Sequence, residues 1–283
     1  MPAPALVPAA PVDERMLRHP SERRVFAACV VVNIVALAAA VWLVVAAPDW
    51  LAAHPVLAKP VKALRALAIA ALIAPPAVVL LRRTRWAVTH WNGIEVSPAQ
   101  IPDLYALLTR QCAVFNMPFI PTLYLSNTEP DIARAYSAWD RSYIVLSDKL
   151  LQPDVAAIQD AVAFHIAREV GRIRLGYTEW WDEMLLSYVI QIPFLRNPLL
   201  HLRAYSADRY GAFLEPDGCA GLLALACGRF MLPRIAVDAY ISAIPDVTGL
   251  PRLLATFGHR WPPMGQRVRT LYDLGLFKSA GVR

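Results

Sequence analysis

The sequence predicts an α+β chain, mainly helical with a small β-sheet, preceded by an N-terminal hairpin of two transmembrane helices. Three observations carry this expectation. Of the 283 residues, 57% are apolar and only 18% are charged, above the roughly 45–50% apolar share of soluble domains, so part of the surplus belongs in lipid. That surplus is concentrated near the start, where Val25 to Ala47 forms 23 consecutive residues without a charge. After Trp91 the pattern turns globular, with short β-like runs and longer stretches of helical period.

Residues 1–24 are rich in Ala and Pro and then in charge, the composition of a disordered cytoplasmic tail. At about 1.5 Å per residue the run from Val25 covers a hydrocarbon core of about 30 Å. A secretory signal is the minor competing reading, since its apolar core spans roughly 7–15 residues and the tail before this run is long and mixed in charge. A second uncharged run, Ala66 to Leu81, lies between Arg65 and Arg82 and holds Pro75 and Pro76. It reads as a kinked second span if Arg65 snorkels, or else as a re-entrant or interfacial segment. The loop Pro48 to Lys62 is short, so residues 25–82 form a hairpin. Arg15, Arg18, Arg23 and Arg24 precede it and Arg82, Arg83 and Arg85 follow it, against Lys59 and Lys62 between. This asymmetry predicts an integral membrane protein with both termini and the following domain cytoplasmic, and the lipid bilayer as a partner. A third apolar stretch, Met184 to Leu202, carries Gln191, Arg196, Asn197 and His201, and reads as a roof or interfacial segment.

A single domain is expected over residues 92–277. Ser97-Pro98 followed by Leu104, Leu107, Leu108 and Cys112 has helical spacing with a start signal. Thr122 to Ser126 and Ser142 to Leu146 read as strands, with Ala133 to Ala138 as a third. From Asp154 to Arg174 a helical pattern puts Ile158, Ala161, Val162, His165, Arg168, Glu169 and Arg172 along one side. The net charge of +6 suits an anionic membrane surface, and the scattered basic residues exclude a nucleic-acid platform. Four separated cysteines form no CxxC motif and read as reduced, buried residues. No GxSxG occurs, so serine hydrolase chemistry is not indicated.

Four fragments carry a resemblance in their order and spacing: Asn92 to Leu104, Arg141 to Ser147, Ala207-Asp208-Arg209-Tyr210-Gly211-Ala212, and His259-Arg260-Trp261-Pro262-Pro263 with Gln266-Arg267-Val268. Together they resemble the HtpX-like and CaaX-prenyl-protease zinc metallopeptidases of the gluzincin type, over residues 92–275. The resemblance implies a zincin-like fold in which Asn92 to Leu104 is similar to the opening helix and Arg141 to Ser147 to the strand before the active-site helix. It aligns Arg168-Glu169-Val170-Gly171-Arg172 with the family's HExxH. Arg168 and Arg172 then stand at the two zinc-binding His positions and Ala204 at the third ligand, four residues before Asp208. Glu169 corresponds to the general base and Asp208 to the carboxylate that orients the first His. His259 corresponds to a group at the site rim that stabilises an oxyanion, or simply begins the last helix. Arg134-Ala135-Tyr136-Ser137 corresponds to the strand that pairs with extended substrate.

Chemistry makes the arginines decisive. A metal ligand must offer a lone pair, and a guanidinium has donors only and stays charged. Without zinc nothing lowers the pKa of a water, and Glu169 is left as a vestigial base. The expectation is a pseudoprotease with no cofactor that binds or regulates a partner polypeptide or a membrane protease, with an Arg168–Asp208 salt bridge in place of the metal. The alternative is an active zinc endopeptidase with rearranged ligands His165, Glu169 and Asp208. Antiparallel helices, as the resemblance implies, would place Asp208 toward His165 and His201 toward Arg172, so that the candidate ligands His165, Glu169, His201 and Asp208 do not converge.

Overall fold

The computed structural model describes residues 14–45, 58–127, 132–138, 141–151 and 155–277. The chain begins with a helical turn α1 (Glu14–Leu17) and then α2 (Glu22–Val45), which is apolar all round. Four residues of α2 are buried, Glu22, Cys29, Asn33 and Ala40, and their spacing puts them on one face; Val31, Ile34, Val35 and Trp42 on the others are exposed. Helix α3 (Ala58–Asn92) packs against α2 and bends by 42° where Val61–Ile73 gives way to Pro76–Asn92, since a proline removes an intrahelical hydrogen bond. By length and composition α2 is able to cross a membrane, and α3 meets the same measure only as a bent pair. Most of the loop expected at Pro48 to Lys62 lies outside the described residues.

The expected tail 1–24 is ordered from residue 14 onward; residues 1–13 lie outside the description. Leu17 is buried in the main core. The His19 N–H donates to Ser206 Oγ at 2.9 Å, and Ser206 Oγ donates to Glu22 Oε2 at 2.5 Å. A buried carboxylate needs such partners, and Ser206 supplies them from far along the chain.

Four strands form one sheet, β1 (Ile94–Val96), β2 (Thr122–Ser126), β3 (Ala133–Ala138) and β4 (Arg141–Ser147), in the order β1-β2-β4-β3. β1 and β2 are antiparallel, β2 and β4 parallel, and β3 and β4 antiparallel with Ala135 opposite Ile144. β4 is central and buried on both faces, which explains its nearly continuous apolar run. The segment Asn92 to Leu104, expected to be helical, instead enters β1, and helix α4 (Pro102–Val114) starts with proline in its first turn. Ile101 before it is left-handed, with φ of 59°, consistent with the exclusion of ordinary helical geometry ahead of proline.

Helix α5 (Ala156–Arg174) runs through the core between the sheet and α7 (Pro193–Leu214). Gly211 lies against Phe164 and Arg168, and Gly171 against Tyr210, so α5 and α7 cross in close contact. A 3₁₀ run, Pro216–Leu223, crosses α5 on Gly218 and Gly221. The apolar stretch from Met184 is divided among α6 (Trp180–Leu185), a 3₁₀ turn at Val189–Gln191 and the start of α7. Asn33 of α2 holds this turn, accepting from the Tyr188 N–H at 2.8 Å and donating to the Met184 carbonyl at 3.5 Å. Arg82 of α3 ties α6 down through Glu183 at 2.8 Å. Helices α8 (Ala224–Met231), α9 (Val237–Ala243), α10 (Gly249–Gly258) and α11 (Met264–Asp273) complete the fold.

Candidate functional site

Arg168 on α5 donates from Nε to Asp208 Oδ1 on α7 at 2.7 Å, joining the two helices. A second arginine shares the carboxylate: Arg267 of α11 donates from Nε to Oδ2 at 2.8 Å and from Nη2 to Oδ1 at 2.7 Å. All three side chains are buried. Burial alone would push the Asp208 carboxyl up, but attraction and hydrogen bonds from Arg267 and Arg168 overcome it and hold the group below its ordinary value. Arg267 was missed as a site residue. The signal was available, because it lies on the apolar stripe of α11 between Met264 and Val268, and a charge on a buried stripe requires a buried partner.

His165 lies one turn before Arg168. Its burial, and then the Arg168 charge, lower its pKa to about 3, so the ring is neutral. Nε2 is 2.9 Å from the Gly221 carbonyl, an acceptor only, so Nε2 carries the proton and donates. Nδ1 is then the lone-pair nitrogen, and it faces Arg168 Nη1 at 3.3 Å. Glu169 is also buried, and its Oε2 accepts the Ala135 N–H of β3 at 2.7 Å. The same oxygen lies 3.2 Å from Arg172 Nε, an ion pair out of line for a hydrogen bond.

The expected alternative metal set of His165, Glu169 and Asp208 does not fit a zinc ion. His165 Nδ1 faces Arg168, one Glu169 oxygen accepts from Ala135, and both Asp208 oxygens accept from arginines. Among the described residues no three His, Cys, Asp or Glu side chains gather as metal ligands. Ala204 is buried on α7 and offers no donor. His201 is buried, its pKa lowered by burial, and its Nε2 donates to the backbone carbonyl of His259 at 2.8 Å. His259 therefore acts through its backbone; its side chain is exposed and does not line the site expected of it.

The cluster forms the floor of a cavity of about 450 Å³. Among its described lining residues, Arg134, Lys149, Arg168, Arg172, Arg229 and Arg267 are cationic and Glu169 is the single carboxylate. A second cavity of about 220 Å³ lies between the end of α3 and β3, bounded by Arg85, Ala135, Tyr136 and Ser137. Arg134 and Arg172 line both cavities, so the strand Arg134-Ala135-Tyr136-Ser137 follows a groove joined at these two residues. Arg85 stacks over the Tyr136 ring at 5.1 Å, and Arg134 stands 5.7 Å from Tyr136 and 5.9 Å from Trp261. A larger opening, about 660 Å³ beside α10 and α11, contains none of these groups. No family model matches the chain, and no curated protein or solved structure matches it significantly.

Proposed function

We propose that this chain is a membrane-anchored, metallopeptidase-like pseudoprotease whose groove along β3 holds a partner polypeptide without cleaving it. In this reading α2 and the bent α3 are the anchor, and the domain and both termini are cytoplasmic. The observation that carries it is the Arg168–Asp208–Arg267 cluster, which fills with guanidinium groups the place where a hydrolytic metal would need lone pairs. Beside it, β3 is an edge strand with a groove along its outer side. An extended polypeptide adds to such an edge through main-chain hydrogen bonds, and neighbouring cavities receive alternate side chains.

The test uses the full-length protein purified in detergent and, separately, in its own membrane. The expected results are zinc well below stoichiometric, no cleavage that depends on Glu169, and polypeptide adducts from a photo-crosslinking residue placed at Ser137. Stoichiometric zinc with cleavage abolished by Glu169→Gln would overturn the reading in favour of a working endopeptidase.

A further inference from the structure

Among the described residues, the groove carries more positive charge than its own carboxylates neutralise. In the buried cluster Arg168, Arg172 and Arg267 face Asp208 and Glu169, three cations against two anions, and Arg229 adds a fourth cation at the cavity wall. Arg229 is held in place by donating from Nη1 to the carbonyls of Asp148 and Leu151 at 2.9 and 3.2 Å. These carbonyls orient it without cancelling its charge.

Arg172 occupies the junction of the two cavities. Its Nε is shielded from solvent and makes no hydrogen bond among the described residues, because the nearest acceptor, Glu169 Oε2, lies out of line and is already held by the Ala135 N–H. A buried guanidinium donor without an acceptor is costly, and a carboxylate is the group that matches its planar fork. Glu169 has a second effect. It occupies the outward N–H of Ala135, so main-chain pairing is blocked at that point of the edge and recognition there passes to side chains.

We infer that the groove selects an acidic polypeptide segment, one carboxylate of which seats on Arg172 between the two cavities. This deepens the proposed polypeptide-binding function and rests on it. A neutral segment offers Arg172 only uncharged carbonyl acceptors, which form weaker hydrogen bonds than a carboxylate, and a basic one would meet four described cations in a partly enclosed site.

The experiment uses the full-length protein in nanodiscs of zwitterionic lipid and three labelled pools of short, degenerate peptides. The pools are identical except for fixed positions occupied by Glu, Gln or Lys, and binding is read by fluorescence anisotropy at low and high salt. The Glu pool is expected to bind about five- to tenfold tighter than the Gln pool, with the advantage shrinking as salt rises. Arg172→Gln should remove the advantage, and Arg172→Glu should transfer it to the Lys pool, a gain that a merely misfolded variant would not produce. Equal binding of all three pools would overturn the acidic selectivity and leave the groove intact as a polypeptide site. An acidic preference unchanged by both substitutions would overturn the assignment to Arg172. Absence of binding by every pool would overturn the groove reading itself.

Discussion

Asparagine at position 208 preserves the shape of the aspartate side chain and removes its charge. The native carboxylate serves Arg168 and Arg267 at once, through three hydrogen bonds of 2.7 to 2.8 Å, and both guanidinium groups are buried. Removing one partner of a buried pair costs about 3–5 kcal/mol. Here two cations lose their counter-charge and stand against each other, which places the loss near the top of that range. The adjoining cavity admits water and moderates it, so Asp208→Asn should destabilise the domain by about 4 kcal/mol, a large share of the 5–15 kcal/mol typical of a folded domain. Arg267→Met removes two of the three bonds and should cost about 2 kcal/mol. Arg168→Met leaves Asp208 fully engaged by the Arg267 fork and relieves the repulsion between the arginines, so about 1 kcal/mol or less is expected. Asp208→Asn with Arg168→Met should recover only part of the loss, because Arg267 stays unpaired.

Equilibrium unfolding in a mild detergent, followed by tryptophan fluorescence, measures all four variants. A loss below about 1 kcal/mol for Asp208→Asn, or a coupling energy with Arg168 below about 0.5 kcal/mol, would refute the account. The pH dependence has a definite sign. The folded pKa of Asp208 is depressed, so its contribution is fully present above the unfolded value of about 3.9 and is lost as pH falls through the folded one.

His165 should make the domain acid-sensitive over a higher window. Its folded pKa of about 3 lies below the ordinary 6.5, so the unfolded state binds a proton that the folded state refuses. Stability then falls as pH drops from 6.5 toward 3, by an amount on the order of 5 kcal/mol. Unfolding as a function of pH should show this slope in the wild type and not in His165→Gln; the same slope in both would refute it. Gly171→Ala places a Cβ well inside van der Waals contact of the Cβ of the fully buried Tyr210, so the helices must separate at a net cost of about 2 kcal/mol after the gain in helix propensity. A neutral melting shift would contradict the close approach. Trp180 and Trp181 are exposed on α6, which packs beside α2 and α3, so brominated lipid should quench them. Replacing both by Phe should reduce the quenched fraction, and an unchanged fraction would remove α6 from the bilayer surface.

Local pattern made much of the fold legible. The three strands Thr122–Ser126, Ala133–Ala138 and Arg141–Ser147 and the helix Ala156–Arg174 stand out because each carries its own apolar run or helical period. Ile94–Val96 does not: three residues are too few for a period, and the strand exists because Leu123 to Leu125 pair with it. The ordering of residues 14–24 was hidden for a similar reason, since Glu22 is satisfied by Ser206 and Arg18 by the carbonyl of Leu175. At the site, the Arg168–Asp208 pair was legible from spacing under the family resemblance. The Arg267 fork and the bond from His201 to the His259 carbonyl join elements about 60 residues apart, and no local signal sets their geometry.

Glu169 is held by contacts that differ from those a general base needs. A general base must turn a lone pair toward the attacking water, whereas here Oε2 is spent on a backbone N–H of β3 and the Arg172 charge lies 3.2 Å away. The carboxylate behaves as a one-residue strand partner, blunting an edge that would otherwise accept any extended chain. In the proposed reading, blunting at Ala135 and the surplus of cations among the described lining residues act together: the first would weaken pairing for every sequence, and the second would restore it only for a segment carrying negative charge. Specificity is then a difference built by obstruction as well as attraction. Glu169→Gln should consequently act on selectivity rather than on catalysis, because an amide that keeps the bond to Ala135 no longer competes for Arg172.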